Sequence, residues 1–415
     1  MHRAALALVL SASLLPACNS ALRHAPSVPP LSISLPTPDP AWELQFTRTD
    51  GWTGADGAAT IPLPGNRILW LWGDSWIGPV RDGKHAPGSA MINNAIAVQP
   101  LPSSNAPLPT AQFFWSTDPA GKPAAWAIPA QPAPLAGAPI APEWFWPSGG
   151  GIVTPPNRLL VLMTRLGRID QSDSIWNFRP LGSSLVIVDN PAADPALWRQ
   201  TIHDLTPVDA VPGRQITWGA AVLSAGPHLL IYGIDATAVL NKQALLARAP
   251  VATPDHFDTW SFWTGRGWSS HPAEAAPLAS PLASEASIHR LHGEYIMVYS
   301  ELTLGPRILL RTASAPQGPW SEPTTLYDCP EPATDKRLFV YAPKAHPELS
   351  RPGELLISYC VNSTDFWDVA AHADKYRPRF IRIPLHTLHP APGPAPAPLP
   401  FPPVPASGRP SEGSP

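Results

Sequence analysis

Short apolar segments alternate with turns rich in glycine, proline and asparagine along most of this chain, and helical periodicity is scarce. Five segments share one design, in which a strand of small residues is followed by a tight turn and a more apolar strand. Their starts lie 57 to 93 residues apart, which leaves room for two further strands in each interval. The segments span residues 54–75, 147–166, 217–235, 284–302 and 341–362.

A hairpin repeated five times, with room for four strands in each unit, predicts an all-β fold and specifically a five-bladed β-propeller. A β-sandwich is the competing interpretation, but it does not account for the recurring hairpin. The inner strands of a propeller converge on a central funnel, which requires small residues at their N-terminal ends. Gly57-Ala58-Ala59, Gly149-Gly150-Gly151 and Gly219-Ala220-Ala221 meet that requirement, so we expect the functional groups near these positions.

The two ends of the chain differ from this body. The apolar run Ala4–Leu15 is too short to span a bilayer and leads into Leu-Pro-Ala-Cys, ending at Cys18, which resembles a bacterial lipobox. An ordinary signal peptide that contains a cysteine is the alternative. We interpret 1–18 as a lipoprotein signal peptide, 19–41 as a Pro/Ser-rich tether, 42–386 as the propeller and 387–415 as a Pro-rich disordered tail. The protein is then exported and held at the outer membrane or cell surface by a lipid on Cys18.

Two further cysteines, Cys329 and Cys360, remain once Cys18 carries lipid. An oxidising exported compartment allows a disulfide between them. Two separate buried thiols fit the sequence equally well, so both alternatives stay open.

The composition of the chain argues against nucleic acid as a partner and favours carbohydrate. Charged residues make up only 14% of the 415 positions and the formal net charge is −3, with no basic block, so nucleic acid is not an expected partner. The 17 tryptophans occur in pairs and triplets next to glycines, a pattern common in β-rich proteins that act on carbohydrates. We expect a monomer whose partner is a polysaccharide and whose only membrane contact is the lipid anchor.

Two acidic residues have mirrored positions in the first hairpin. Asp56 lies nine residues before Gly65, at the centre of the turn, and Asp74 lies nine residues after it. Antiparallel pairing then places them opposite each other, about 5 Å apart at Cα. Opposed like charges destabilise a sheet unless one is protonated or both bind a ligand, and a paired acid and carboxylate is what glycosidic cleavage requires. The alternative is that each aspartate only stabilises a turn.

Other carboxylates are candidates for the same funnel. Glu285 begins the fourth hairpin and is the candidate third catalytic carboxylate, with Glu301 mirrored about Gly293. Exposed glutamates at strand ends are the alternative for both. Asp235 and Glu143 are further candidates for an acid beside the funnel.

Residues that could bind sugar flank the same strand ends. Indole faces stack on the C–H faces of sugar rings, and amide, imidazole and guanidinium groups bond to hydroxyls. Packing in the core is the alternative for each tryptophan. The candidates are Trp52, Trp76, Trp144, Trp146 and Trp218, with Asn93, Asn94, Arg165, His346 and Asn362 as polar partners.

Signatures of other chemistry are missing from the sequence. No His-x-x-x-His or Cys-x-x-Cys spacing accompanies His346, so we predict no metal site and no required cofactor. A calcium ion stays open, because oxygen ligands leave little spacing signature. The chain also lacks a P-loop, a strand followed by GxGxxG, and a GxSxG elbow, which argues against nucleotide binding and serine hydrolysis.

The first hairpin, DGWTGADGAATIPLPGNRILWLWGDSWIG, followed by MINNAIAVQ, resembles a group of bacterial exported five-bladed propeller domains long described as of unknown function. FWPSGGGIV, TWGAAV and YAPKAHPEL extend the likeness over nearly all of 42–386. A related branch consists of endo-acting D-arabinanases. The resemblance implies that Asp56 and Asp74 match two catalytic aspartates of that branch. The chain also resembles the wider group of five-bladed glycosidases, which use two aspartates and a glutamate on separate blades. The second-blade aspartate of that pattern is missing near Pro147–Gly151.

The sequence therefore predicts a surface-anchored glycoside hydrolase that cleaves a furanosyl-type, arabinan-like or other complex polysaccharide. A non-catalytic carbohydrate-binding propeller lipoprotein is the alternative. A lyase with Lys344 or His346 as its base is a third interpretation.

Overall fold

The computed structural model describes residues 31–33, 35–103, 107–130, 140–172, 174 and 176–387. Residues 32–386 form one compact unit; of the second unit, 1–31 with 387–415, only Leu31 and Thr387 are among the described residues. Cys18, most of the predicted tether and nearly all of the predicted tail lie outside them.

The described residues up to position 124 form short strands and one helix. In chain order these elements are β1 (Leu31–Ile33), β2 (Thr37–Pro38), α1 (Pro40–Gln45), β3 (Trp52–Ala55), β4 (Ala59–Leu63), β5 (Arg67–Trp72), β6 (Ser75–Ile77), β7 (Val80–Arg81), β8 (Lys84–His85), β9 (Ala90–Ile92), β10 (Ala95–Pro100), β11 (Gln112–Phe114), β12 (Ser116–Thr117) and β13 (Pro123–Ala124).

The middle of the chain carries longer strands. These are β14 (Ile140–Thr154), β15 (Arg158–Arg168), β16 (Arg179–Val188), β17 (Gln200–Pro207), β18 (Ile216–Ala225), β19 (His228–Asp235), β20 (Lys242–Pro250), β21 (Ser261–Trp263), β22 (Trp268–Ser269) and β23 (Ala279–Leu282), with 3₁₀ turns at Pro195–Leu197, Phe257–Thr259 and Pro272–Glu274.

The last part returns to short strands with two more helices. The elements are β24 (Ser287–Leu291), β25 (Glu294–Ser300), β26 (Arg307–Ala313), β27 (Thr324–Asp328), α2 (Glu331–Thr334), β28 (Leu338–Ala345), β29 (Glu354–Ser363), α3 (Phe366–Ala371) and β30 (Arg379–Thr387), with 3₁₀ turns at Pro347–Leu349 and Ala373–Tyr376. None of the helices in the described residues combines the length and hydrophobicity that a membrane span requires.

Antiparallel pairing groups the main strands of the described residues into five sheets, so the all-β prediction is confirmed. Their strand orders are β4-β5-β10-β11, β14-β15-β16-β17, β18-β19-β20-β21-β22, β24-β25-β26-β27 and β28-β29-β30. The N-terminal strand β2 pairs with β30, which adds a strand from the beginning of the chain to the last sheet. A smaller ladder, β3-β6-β9, is formed by strands that alternate in sequence with those of the first sheet.

Apolar layers between neighbouring sheets hold the fold together. One layer joins the first and last sheets, with Trp42 of α1 stacked on Phe380 of β30 at a centroid distance of 5.8 Å. Trp70 of β5 belongs to the same layer, and its ring centroid lies 5.7 Å from that of Trp42. Layers of aliphatic and aromatic side chains also join the first sheet to the second and the second to the third.

Glycines let the inner strands of neighbouring sheets approach each other. A Cβ built on Gly150 of β14 would lie 2.4 Å from the carbonyl oxygen of Gly219 in β18. A Cβ on Gly219 would in turn lie 2.4 Å from Cβ of Leu162. The small residues predicted at converging strand ends are therefore required by close backbone contact.

Replacing Gly150 by alanine should destabilise the protein by more than about 2 kcal/mol, because the opposing group is backbone and cannot rotate away. Urea denaturation measures the change. Gly267→Ala is the matched control, since a Cβ there meets nothing within 4 Å, and it should change stability by less than about 0.5 kcal/mol. Equal effects of the two substitutions would contradict the close-packing argument.

Candidate active site

The first hairpin places the two predicted aspartates opposite each other. Its turn is centred on Gly65, with Ala59 paired to Leu71. Beyond a short break the hairpin continues in the same register as β3 and β6, where Ala55 pairs with Ser75. Asp56 and Asp74 occupy the opposed positions between these two ladders, where the backbone N–H of Gly73 donates to the carbonyl oxygen of Asp56 at 2.9 Å.

The side chain of Asp56 occupies the space that a Cβ at position 73 would fill, so residue 73 must be a glycine. A Cβ built on Gly73 would lie 2.1 Å from Oδ1 of Asp56. The hydroxyls of Tyr341, in β28, and Tyr376, in the 3₁₀ turn before β30, both donate to Oδ2 of Asp56, at 2.6 and 2.9 Å. One carboxylate oxygen is thus held by two donors from the last sheet, while Oδ1 accepts no hydrogen bond from the described residues.

The two side-chain oxygens of Asp74 also differ from each other in their hydrogen bonds. The indole N–H of Trp146, in β14, donates to Oδ1 at 2.8 Å, and the amide of Asn93 donates to the same oxygen at 3.2 Å. Its Oδ2 accepts no hydrogen bond from the described residues. Both acids line a cavity of about 500 Å³, so each has one oxygen without a protein donor in the cavity wall.

The two carboxyl groups bind protons more tightly than isolated aspartates do. Burial, and then the negative charge of Asp74, raise the pKa of Asp56 to about 7 against the opposing effect of its tyrosine donors, and Glu285 adds to the rise. Burial raises the pKa of Asp74 to about 6, opposed by the donors Trp146 and Asn93. The pair therefore carries a proton over a pH range in which free aspartates would both be ionised.

Glu285 lies in the wall of the same cavity. Its carboxylate accepts a hydrogen bond at 2.7 Å from the buried ammonium group of Lys344. The prediction that Glu301 mirrors Glu285 across the fourth hairpin is wrong. The turn of this hairpin consists of two residues, so Leu291 pairs with Glu294. Glu301 bonds instead to Arg307, away from Glu285.

Three of the tryptophans predicted to bind sugar serve as packing. Trp52 is fully buried and stacks on Phe113 at a centroid distance of 4.4 Å. Trp76 is buried against the ring of His85 at 4.3 Å. Trp218 touches the cavity wall but is buried against a neighbouring phenylalanine at 5.4 Å. No indole face of the three is left open to a sugar ring, so the prediction is wrong for them.

Two predicted polar contacts to substrate are also wrong. Asn94 is fully buried, and its amide donates to two backbone carbonyl groups at 2.9 Å each. His346 is fully buried, with its ring nitrogens 2.7 Å from the hydroxyl of Thr60 and 2.8 Å from that of Ser358. The polar groups of both side chains bond within the fold and are therefore not available to a substrate. Asn362, by contrast, lines the cavity, and its amide donates to the hydroxyl of Tyr341 at 3.3 Å.

The remaining predicted acids form ion pairs. Arg165 bonds to Glu143 at 2.6 Å, and Arg214 bonds to Asp235 at 2.7 Å. These carboxylates have structural partners and are not aimed at the acidic pair. Cys329 and Cys360 are separate buried thiols, so the disulfide alternative is wrong.

Sequence reasoning missed several site residues. Tyr341 and Tyr376 were not recognised as partners of Asp56, although Tyr341 lies in the YAPKAHPEL segment. The aromatic rings of Trp176, Phe178 and Phe339 also line the cavity and were not predicted. None of these positions carries a local pattern that separates a site residue from a core residue.

A metal ion has no evident site. Within the described residues, His, Cys, Asp and Glu side chains form no group of three or more that could hold one.

Comparison with known proteins identifies the family and the fold. The family described as "Domain of unknown function (DUF5005)" matches residues 39–386, which confirms the resemblance to a family of unknown function. No curated protein matches the chain in sequence. A proposed hydrolase from Bacteroides ovatus ATCC 8483 is similar in structure, with 22% sequence identity over 85% of this chain and 93% of that one and a TM-score of 0.64. A Bacteroides ovatus protein named Xyloglucan PUL GH43B shows 11% identity over 79% of this chain and 50% of its own, with a TM-score of 0.44.

The raised pKa values predict how stability depends on pH. A carboxyl group that binds its proton more tightly when folded stabilises the fold fully below about pH 4, and this contribution is lost as pH rises through the folded-state values near 6 and 7. Asp56→Asn replaces this carboxyl group by an amide that does not titrate, so the variant does not lose stability in this way as pH rises. The variant should therefore be more stable than the unmodified protein at pH 8 by more than about 1 kcal/mol, since one pKa unit corresponds to about 1.4 kcal/mol.

Denaturant unfolding from pH 4 to pH 8 measures this difference, which should shrink towards pH 4. Asp258→Asn, at an exposed aspartate, is the matched control and should keep the slope of the unmodified protein. An Asp56→Asn variant with that same slope would show that the acidic pair does not share a tightly held proton.

Proposed function

The chain belongs to the family described as "Domain of unknown function (DUF5005)", and we propose that it is a glycoside hydrolase whose acidic pair is Asp56 and Asp74. One observation carries the proposal: two opposed, partly buried carboxyl groups with raised pKa values each keep one oxygen without a protein donor in the wall of a cavity. A fold has no structural need for such a pair, because opposed like charges destabilise it. Glycosidic cleavage does need it.

The architecture that supports the site is a five-bladed propeller. Five sheets follow one another along the chain, and their first strands approach closely at Gly150 and Gly219. The pairing of β2 with β30 joins the beginning of the chain to the last sheet, which is how a ring of blades closes. The cavity is lined from all five sheets or the connections that follow their second strands.

Asp56 acts as the general acid. We assign it the proton that the pair holds, because, in addition to burial, the negative charges of both Asp74 and Glu285 favour the protonated form of Asp56 and raise its pKa. Tyr341 and Tyr376 occupy Oδ2, which leaves Oδ1 to deliver the proton to the leaving oxygen. After transfer the same two hydroxyls stabilise the carboxylate that remains.

Asp74 acts as the base or nucleophile. Trp146 and Asn93 hold Oδ1, so Oδ2 can activate water or attack the anomeric carbon. Glu285, held by Lys344, contributes negative charge that helps keep Asp56 protonated. We assign Glu285 a positioning role, together with contact to the substrate from the cavity wall.

The substrate proposed from the sequence resemblance is a furanosyl-type, arabinan-like or other complex polysaccharide. Trp146, Asn362 and the cavity aromatics Phe178 and Phe339 supply ring faces and polar groups for sugar. With Cys18 carrying lipid, the enzyme acts at the cell surface on polymer outside the membrane. A carbohydrate-binding propeller without catalysis is the second candidate, but the loss of three tryptophan platforms removes much of its support.

The acidic pair should be essential for hydrolysis. Asp56→Asn and Asp74→Asn should each lower the release of reducing ends from the cleaved polysaccharide by about 10²- to 10⁴-fold, the range typical of removing an acid or base. The assay uses a panel that includes arabinans and arabinogalactan, with Asp258→Asn as the control that keeps full activity. Binding of a polymer without release of ends by the unmodified protein would favour the non-catalytic candidate.

The hydrogen bonds from Tyr341 and Tyr376 should lower the pKa of Asp56, the proposed general acid. Tyr341→Phe removes a hydrogen bond that lowers the pKa of Asp56, so the alkaline limb of the pH–rate profile, expected near pH 7, should move to higher pH. The rate at the optimum should also fall, because the departing proton leaves a less stabilised carboxylate. Tyr359→Phe, which removes a hydroxyl bonded to Glu331, is the matched control. An alkaline limb that stays in place in Tyr341→Phe would assign the acid role to another group.

A further inference from the structure

The cavity has two chemically different walls. On the side of the second and last sheets it is aromatic: Trp176 lies 5.7 Å from Phe339, whose ring lies 5.5 Å from that of Tyr341. This row of rings runs from the surface to the hydroxyl that bonds Asp56. Such a wall suits sugar rings, which stack on aromatic faces and find hydroxyl partners beside them.

Part of the lining on the side of the third and fourth sheets forms an aliphatic wall. It lies where β19 and β25 end and consists of Ile234, Ala236, Val239 and Leu304. These four side chains offer no hydrogen bond to the hydroxyl groups of a sugar, although Glu285 and other polar side chains line the same cavity. The wall therefore favours a ligand group without hydroxyls.

The aliphatic wall continues to the protein surface. Val239, Leu240, Leu302 and Leu304 are 71, 74, 59 and 37% exposed. They lie on two connections, 236–241 between β19 and β20 and 301–306 between β25 and β26. Single exposed apolar side chains are common, but a group of four beside a ligand cavity indicates a binding surface.

The two connections are fastened to each other, so the surface is a built feature. The ammonium group of Lys242 donates to the carbonyl oxygen of Val239 at 2.8 Å and to the hydroxyl of Thr303 at 3.0 Å. The same hydroxyl accepts the backbone N–H of Ser284 at 3.2 Å. These bonds hold the two connections together, with their aliphatic side chains at the rim of the cavity.

We propose that this wall binds an apolar chain carried by the substrate, so that the enzyme acts on an amphiphilic glycoside: a sugar that bears an alkyl or acyl group. The sugar lies against the aromatic wall at the acidic pair, and the chain leaves the cavity over Val239, Leu240, Leu302 and Leu304. This inference rests on the proposed glycosidase function and specifies its substrate class.

A bilayer surface fits the same residues less well. Apolar surface that only rests on lipid would end at the rim, whereas here it continues into the cavity through Ile234 and Ala236. The nearby charges also offer nothing to anionic lipid, because Arg307 is paired with Glu301 and Lys242 is bonded within the connections. The chain of a single ligand accounts for both observations.

The test measures binding, not turnover. Isothermal titration of the full-length protein uses methyl, hexyl and octyl β-D-glucopyranosides below their micelle concentrations. Each buried CH₂ group should tighten binding by about two- to fourfold. Binding of the octyl glucoside should also show a negative heat-capacity change, and binding of the methyl glucoside should not.

A double variant locates the chain. Val239→Ser with Leu304→Ser should weaken octyl glucoside binding by at least about tenfold and leave the methyl glucoside unaffected. Leu197→Ser is the matched control, because Leu197 is 69% exposed but lies on the 3₁₀ turn after β16, outside the cavity lining. The serine substitutions are at exposed positions, and thermal unfolding verifies that both variants remain folded.

Three results would overturn the proposal. These are affinity that does not depend on chain length, an equal effect of the double variant and Leu197→Ser, and binding to phosphatidylcholine vesicles that the double variant loses while no alkyl glucoside binds. The last result would assign the surface to a bilayer. Because the measurement needs no catalysis, a failure of the glycosidase proposal in the polysaccharide assay remains separate from a failure here.

Discussion

Two carboxyl groups held opposite each other on one hairpin are the constraint on which the site depends. Asp56 and Asp74 repel each other when both are ionised, and burial makes each charge more costly. The protein limits the cost through Gly73, which leaves room for one carboxylate, and through four hydrogen-bond donors. The part of this electrostatic cost that the donors do not offset raises the pKa of both aspartates. A raised pKa is the property that an acid–base pair uses.

The donors come from sheets that are far apart in the chain, so the pair exists only in the assembled fold. Trp146 belongs to the second sheet, and Tyr341 belongs to the last. Tyr376 is positioned by the segment before it, where Lys375 bonds both carboxylate oxygens of Asp368, at 2.9 and 2.8 Å. This ion pair, whose aspartate is buried, helps to fix the path of the connection together with the packing of Tyr376 on Trp76 and Val369.

The sequence predicted those features whose cause is local. The register of the first hairpin follows from the turn at Gly65, and this was sufficient to place Asp56 and Asp74 opposite each other. Trp52 could not be assigned in the same way, because an indole serves equally well in a core and on a binding surface, and only its neighbours decide. Tyr341 and Tyr376 lie about 285 and 320 residues from Asp56, so only the arrangement of the sheets in space reveals them.

The division of each carboxylate into a held oxygen and a free one links stability to chemistry. If all four oxygens of the pair were bonded by the protein, the charges would be well stabilised but no oxygen could reach a ligand. If none were, two buried carboxyl groups without donors would destabilise the first hairpin. Two donors on one oxygen of each acid meet both requirements, and all of them except Asn93 come from the second sheet or from the last sheet and the turn before β30. The pairing of β2 with β30 therefore matters to the chemistry, because it secures the last sheet, which carries the tyrosines, beside the first.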